Sequence, residues 1–129
     1  MKSIVLITLI SILSTSALAK EVDYSEKFDN CMKTAEGVTV SMRACYADEI
    51  DSQDKRLNAN YKAYISLMSS DIKKKFVNAQ RAWVKFRDEN CEAFQSQEPG
   101  GTRSLIVGDS CYLKMTAERA NDFQRKDSK

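Results

Sequence analysis

Few residues in this chain are of a type that does chemistry. There is no His, so neither a Ser-His-Asp triad nor a Cys-His pair can form, because both need an imidazole to take the nucleophile's proton. The commonest ligand of zinc and non-haem iron is missing with it. Paired carboxylates can hydrolyse a glycoside, and Asp48, Glu49, Asp51 and Asp54 are close enough in sequence to supply such a pair. Acids early in a long helix also offset its dipole, which is the plainer reading. A third reading is an acidic face for a basic partner. Lys73, Lys74 and Lys75 are consecutive. In a helix they point in three directions and read as a solvated face. No catalytic set, metal site or cofactor site emerges, and we expect a protein that is not an enzyme.

Gln80, Trp83 and Arg87 say more. They fall at i, i+3 and i+7, one stripe of a helix, with Asp88 adjoining. Two polar groups then sit beside an indole, and buried polar groups need partners. Thr116 and Arg119 further along, and Asn58 and Tyr61 earlier, are the natural ones. The expectation is a structural polar network that fixes helix register; the alternative is a binding site.

Four cysteines complete the inventory: Cys31, Cys45, Cys91 and Cys111. No C-x-x-C spacing occurs, so neither a thioredoxin-like pair nor a zinc ribbon is supported. The compartment decides how they read. Lys2, an apolar run from Ile4 to Leu13 and Ala17-Leu18-Ala19 make a secretory signal peptide over residues 1–19, with cleavage after Ala19. The apolar run is shorter than the ~20 residues a membrane span needs. We therefore expect a periplasmic or secreted bacterial protein, not inserted in the membrane once cleaved, with two disulfides.

The elements that position these residues follow from composition. Of 129 residues one is Pro and four are Gly, so helix is the default. A net charge of +2 argues against nucleic-acid binding driven by phosphate contacts. Val, Ile, Leu and Phe make up only about a sixth of residues 20–129, a thin core that disulfides would support. Residues 38–98 contain neither Gly nor Pro and must fold back on themselves, best at Ser69-Ser70-Asp71.

The spacing predicts a short helix near 24–35 and a long one near 41–68, polar and exposed or kinked at 51–55. A third helix follows from 72, with Ile72, Phe76, Ala79, Trp83, Phe86, Asn90 and Phe94 on its inner face. A fourth spans about 103–126, with Ile106 or Val107, Cys111, Met115 and Phe123 inside. Val38-Thr39-Val40 is the only β-like run, and the tail 125–129 is polar. The fold class is all-α, one domain over 20–129: a bundle of three main helices plus a short N-terminal one. Cys31 and Cys45 flank the turn at Gly37, and Cys91 and Cys111 flank Pro99-Gly100-Gly101 in the same way. Residues about equidistant from a turn face each other in an antiparallel pair, which predicts Cys31–Cys45 and Cys91–Cys111.

Along the same residues the chain resembles a known family. Cys45, Glu49, Asp54, Leu57-Asn58 and Tyr61 lead into Gln80-Arg81-Ala82-Trp83, Phe86-Arg87-Asp88 and Cys91. Gly100-Gly101-Thr102, Cys111, Thr116 and Arg119 follow. The order is similar to the LprI-type lysozyme-inhibitor domain over about Cys31 to Phe123. The resemblance implies an exported helical domain and, as in the namesake, inhibition of lysozyme. The namesake is a lipoprotein; this chain has no lipidation Cys at its cleavage site. Two functions stay open: an inhibitor that blocks a muramidase, or a periplasmic interaction or stress module with another protein partner. Oligomeric state is open. For the first function the loop at Gly100, Gly101, Thr102 and Arg103 is the candidate contact, a cation pinned near a disulfide. Its alternative is a plain helix terminator with Thr102 as N-cap.

Overall fold

The computed structural model describes residues 22–124. The expected signal peptide with its Ala19 boundary and the tail 125–129 lie outside the described residues. Four helices follow one another: α1 (Glu26–Ala35), α2 (Thr39–Ile65), α3 (Ser70–Gln97) and α4 (Thr102–Asp122). Among the described residues there is no strand.

Each start and stop has a local cause. The Ser25 hydroxyl caps α1 by accepting from the Phe28 N–H at 3.1 Å. The helix ends where Glu36 takes a left-handed conformation, φ 47°. Val38-Thr39-Val40, the run read as β-like, opens α2 instead: with no strand to pair with, Val38 gives its carbonyl to the Met42 N–H at 2.9 Å. The 51–55 stretch of α2 is not wholly exposed. It is helical throughout, with Gln53 buried, while Asp51 and Lys55 pair outward at 2.6 Å. Ser69 is the N-cap of α3. α4 stops at Asp122, short of the expected Lys126.

The helices are arranged around α4. It packs on α2 and on α3, α1 packs on α2, and α2 and α3 barely touch although they are consecutive. A helix flanked on two sides needs small residues, and the most buried positions of α4 include Thr116, Ala117 and Ala120, beside Leu113. Gly108 belongs to the same pattern: a Cβ there would lie 2.5 Å from Gln95 Oε1 of α3. The expected inner face of α4 shifts accordingly, and Ile106, Val107, Cys111 and Met115 are only half-buried. On α3 the expected inner face is half wrong. Phe86 is 58 % exposed, Phe94 48 % and Ile72 45 %. α3 leans mainly on α4, touching α2 only through Phe76 on Tyr64 and Arg87 beside Asp54, so only one of its sides finds cover.

The apolar core is split in two. Phe28, Ala35, Cys45 and Leu113 form one cluster, and Leu57, Ala120 and Phe123 the other. Between them α2 is polar on its inner side. Buried Glu49 accepts from the Ser25 N–H at 3.0 Å, from the Ser25 hydroxyl, and from Gln53 Nε2 at 2.8 Å. Arg56 donates to Gln53 Oε1 at 2.7 Å, to Asn121 Oδ1 at 2.7 Å and to the Ala117 carbonyl at 3.0 Å. Burial pushes the Arg56 pKa down, and Glu49 opposes that.

The disulfides are Cys31–Cys45, with Cα atoms 5.7 Å apart, and Cys91–Cys111, at 5.5 Å. This is the pairing the two turns imply. Their sequence separations are 14 and 20; loops of this size confer about 3 kcal/mol each through loop-closure entropy. Against a typical total of about 5–15 kcal/mol that is a large share. Reduction with dithiothreitol should lower the circular-dichroism melting temperature by more than about 15 °C. An unchanged melt would show that the bridges carry little of the stability.

Candidate functional site

Two places carry the residues singled out by the sequence. The first is the face between α3 and α4. Arg87 is buried and its charge is matched from several sides. It donates to Asp88 Oδ1 at 3.0 Å and to Thr116 Oγ1 at 3.3 Å, and lies 3.7 Å from Asp54 Oδ1 on α2. Its guanidinium stacks over Tyr112 at 3.8 Å and beside Trp83 at 5.1 Å. One step along, Arg119 donates to Gln80 Oε1 at 3.0 Å and to Asp122 Oδ2 at 3.1 Å, over Phe123 and Trp83. Two guanidinium groups thus flank one indole. Burial raises the Asp54 pKa, and Arg87 pulls it only part of the way back. Burial also raises the Tyr112 hydroxyl, again against Arg87.

The structure therefore brings together Gln80, Trp83, Arg87, Thr116 and Arg119. It does not bring in Asn58 or Tyr61. Asn58 faces solvent, one position off the inner line of α2, and Asn60 reaches α4 in its place, donating to the Ala120 carbonyl at 2.8 Å. Tyr61 sits in the aromatic cluster, edge-on to Phe123 at 5.2 Å, and its buried hydroxyl has no hydrogen-bond partner among the described residues. Asp54 and Tyr112 were missed as Arg87 partners. Tyr112 had a signal: it lies one helical turn before Thr116, on the same side of α4. The arrangement stacks and pairs charges. Among the described residues no group of three or more His, Cys, Asp or Glu is placed to hold a metal ion.

The second place is the α3–α4 loop. Cys91–Cys111 ties its two helices together. Glu98 leaves α3 in an extended conformation, and the Gly100 N–H donates back to its carbonyl at 2.7 Å. Gly100 and Gly101 have φ of 91° and 80°, values that side-chain-bearing residues resist. The N-cap of α4 is Gly101, not Thr102, which is already the first helical residue and makes no cap bond. The turn needs its positive φ at the cap, where Thr would be strained, and Ser104 holds that corner by donating to the Gly101 carbonyl at 2.7 Å. Arg103 Nε pairs with Glu98 Oε2 at 2.9 Å, while its side chain stays 81 % exposed. The loop thus presents a cation already held by a short ion pair.

The other face considered, Asp48, Glu49 and Asp51, does not act as one. Glu49 is turned inward, and Asp48 and Asp51 pair with Lys27 at 2.9 Å and Lys55 at 2.6 Å. No described helix is long and apolar enough to cross a membrane. Residues 31–123, well over half of the chain, match the family model described as Lysozyme inhibitor LprI. No curated protein and no solved structure matches the chain.

Arg87→Lys keeps the charge but loses the planar stack and the fork of donors. It should cost about 1–3 kcal/mol in denaturant unfolding. The Trp83 indole is only partly buried, so Trp83→Ala should cost about 2–3 kcal/mol, less than the 3–5 of an enclosed aromatic. Wild-type unfolding midpoints in both variants would contradict the role given to this joint.

Proposed function

The chain belongs to the LprI lysozyme-inhibitor family, and on that premise we propose that it is an exported protein that binds and blocks a peptidoglycan-cleaving muramidase. The contact is the loop from Gly100 to Arg103. The observation that supports this reading is the exposed Arg103 guanidinium on a loop built to hold one shape. A lysozyme cleft presents two carboxylates that flank the scissile bond. A guanidinium is the side chain that pairs with a carboxylate through two parallel hydrogen bonds. Here Nε lies 2.9 Å from Glu98 Oε2 and the side chain stays 81 % exposed, open to such a pair. The Glu98 pair and the disulfide below lower the ordering cost of binding.

The test is a titration of the purified protein against c-type and g-type lysozymes in a cell-wall clearing assay. One class should be inhibited. Arg103→Glu should leave the circular-dichroism spectrum intact and weaken that inhibition at least tenfold, about 1.4 kcal/mol or more. Inhibition equal to the parent would remove this loop as the contact. Failure to bind either class would overturn the function itself and favour a periplasmic module with a different protein partner.

A further inference from the structure

The outer side of α3 is covered by nothing in the chain. Ile72, Ala79, Phe86 and Ala93 recur at seven-residue steps, and all four are exposed. Positions seven apart keep to one side of a helix, so these four make a lengthwise stripe that another helix could cover. Ala82 adjoins the same stripe, also exposed.

Charge is divided along the same helix. Lys73, Lys74, Lys75, Arg81 and Lys85 lie in its first part, against Asp71 alone. Asp88, Glu89 and Glu92 lie in its last part, where the one base, Arg87, is buried, and the final turn holds no base. This order opposes the helix dipole, which favours acids at the start and bases at the end. The ion pairs within α3, Lys74–Asp71, Lys85–Glu89 and Arg87–Asp88, do not account for Lys73, Lys75, Arg81 and Glu92, which have no ion pair among the described residues. A second α3 running the other way does, because each basic part then lies beside an acidic part and beside the negative end of the partner helix.

We propose that the outer side of α3 is the interface of a symmetric dimer, in which a second copy of this chain lays its α3 antiparallel on the first. With the two-fold axis beside Ala82, Phe86 of one copy packs over Ala79 and Ala82 of the other. Ile72 then lies opposite Ala93. Lys75 faces Glu89 of the second copy, and both flank the stripe on the same side. Lys75 has no ion pair of its own among the described residues, and Glu89 has only Lys85, at 3.7 Å. The patch is thus complementary to itself, as a two-fold interface must be. α3 has 28 residues, about 42 Å of helix. One such seam falls at the low end of specific interfaces, so the dimer is reversible and forms as concentration rises.

Sedimentation equilibrium of the disulfide-intact protein from about 1 µM to about 1 mM should show the mass rising from monomer toward dimer. Phe86→Asp should raise the dissociation constant at least tenfold and leave the melting temperature of the monomer unchanged, since the ring is exposed. Lys75→Glu and Glu89→Lys should each weaken the dimer, and the two together in one chain should restore it. A monomer at every concentration, or a dimer indifferent to Phe86→Asp, would overturn the interface. A double charge variant no better than the singles would overturn the antiparallel register.

Discussion

Arg56 donates to Gln53 on its own helix and to Asn121 and the Ala117 carbonyl on α4, and through that side chain α2 and α4 are held in one register. The apolar core is too thin to do this. It is split into two clusters, and the inner side of α2 between them is Glu49, Gln53 and Arg56. Hydrophobic contact is non-directional and tolerates sliding. A guanidinium reading one carbonyl and one amide does not. Asn60 on Ala120 and Arg43 on Asp109, at 2.7 Å, repeat the same device above and below.

Once α4 is fixed, the rest of the fold can be placed from it. Its far side carries Tyr112, Thr116 and Arg119, which receive Arg87, Trp83 and Gln80 of α3. Cys111 receives Cys91, and that bridge anchors the loop that presents Arg103. α3 is held by this one face and by the turn at Tyr64 and Phe76. Its other sides stay open, which is why large apolar side chains remain at the surface. In this chain the polar contacts set position, the disulfides limit the unfolded state, and the outer side of α3 and its loop stay exposed.

Much of this was legible in the sequence. The two turn signals located the helix pairs, and distance from each turn was enough to choose the disulfide pairing. The i, i+3, i+7 stripe placed Gln80, Trp83 and Arg87 on one side. What was not legible has a common cause, which is that apolar periodicity finds an inner face only where the inner face is apolar. The line from Glu49 to Asn60 is polar, so periodicity points to Asn58 rather than Asn60, one face away, and to a 51–55 stretch that is exposed or kinked. Phe86 and Phe94 failed in the opposite sense: periodicity shows that a side is apolar but not whether a neighbour covers it. The Gly101 cap depends on a backbone angle, and Thr102 beside it was the more usual capping residue.

A polar lock, rather than apolar packing, sets the α2–α4 register. A double-mutant cycle on Arg56→Ala and Asn121→Ala, read as unfolding free energy, tests it most directly. Such a lock gives a coupling of about 1.5–3 kcal/mol, the range for a hydrogen bond to a charged group. Single effects that add to within about 0.5 kcal/mol would contradict it, because the two side chains would then act independently.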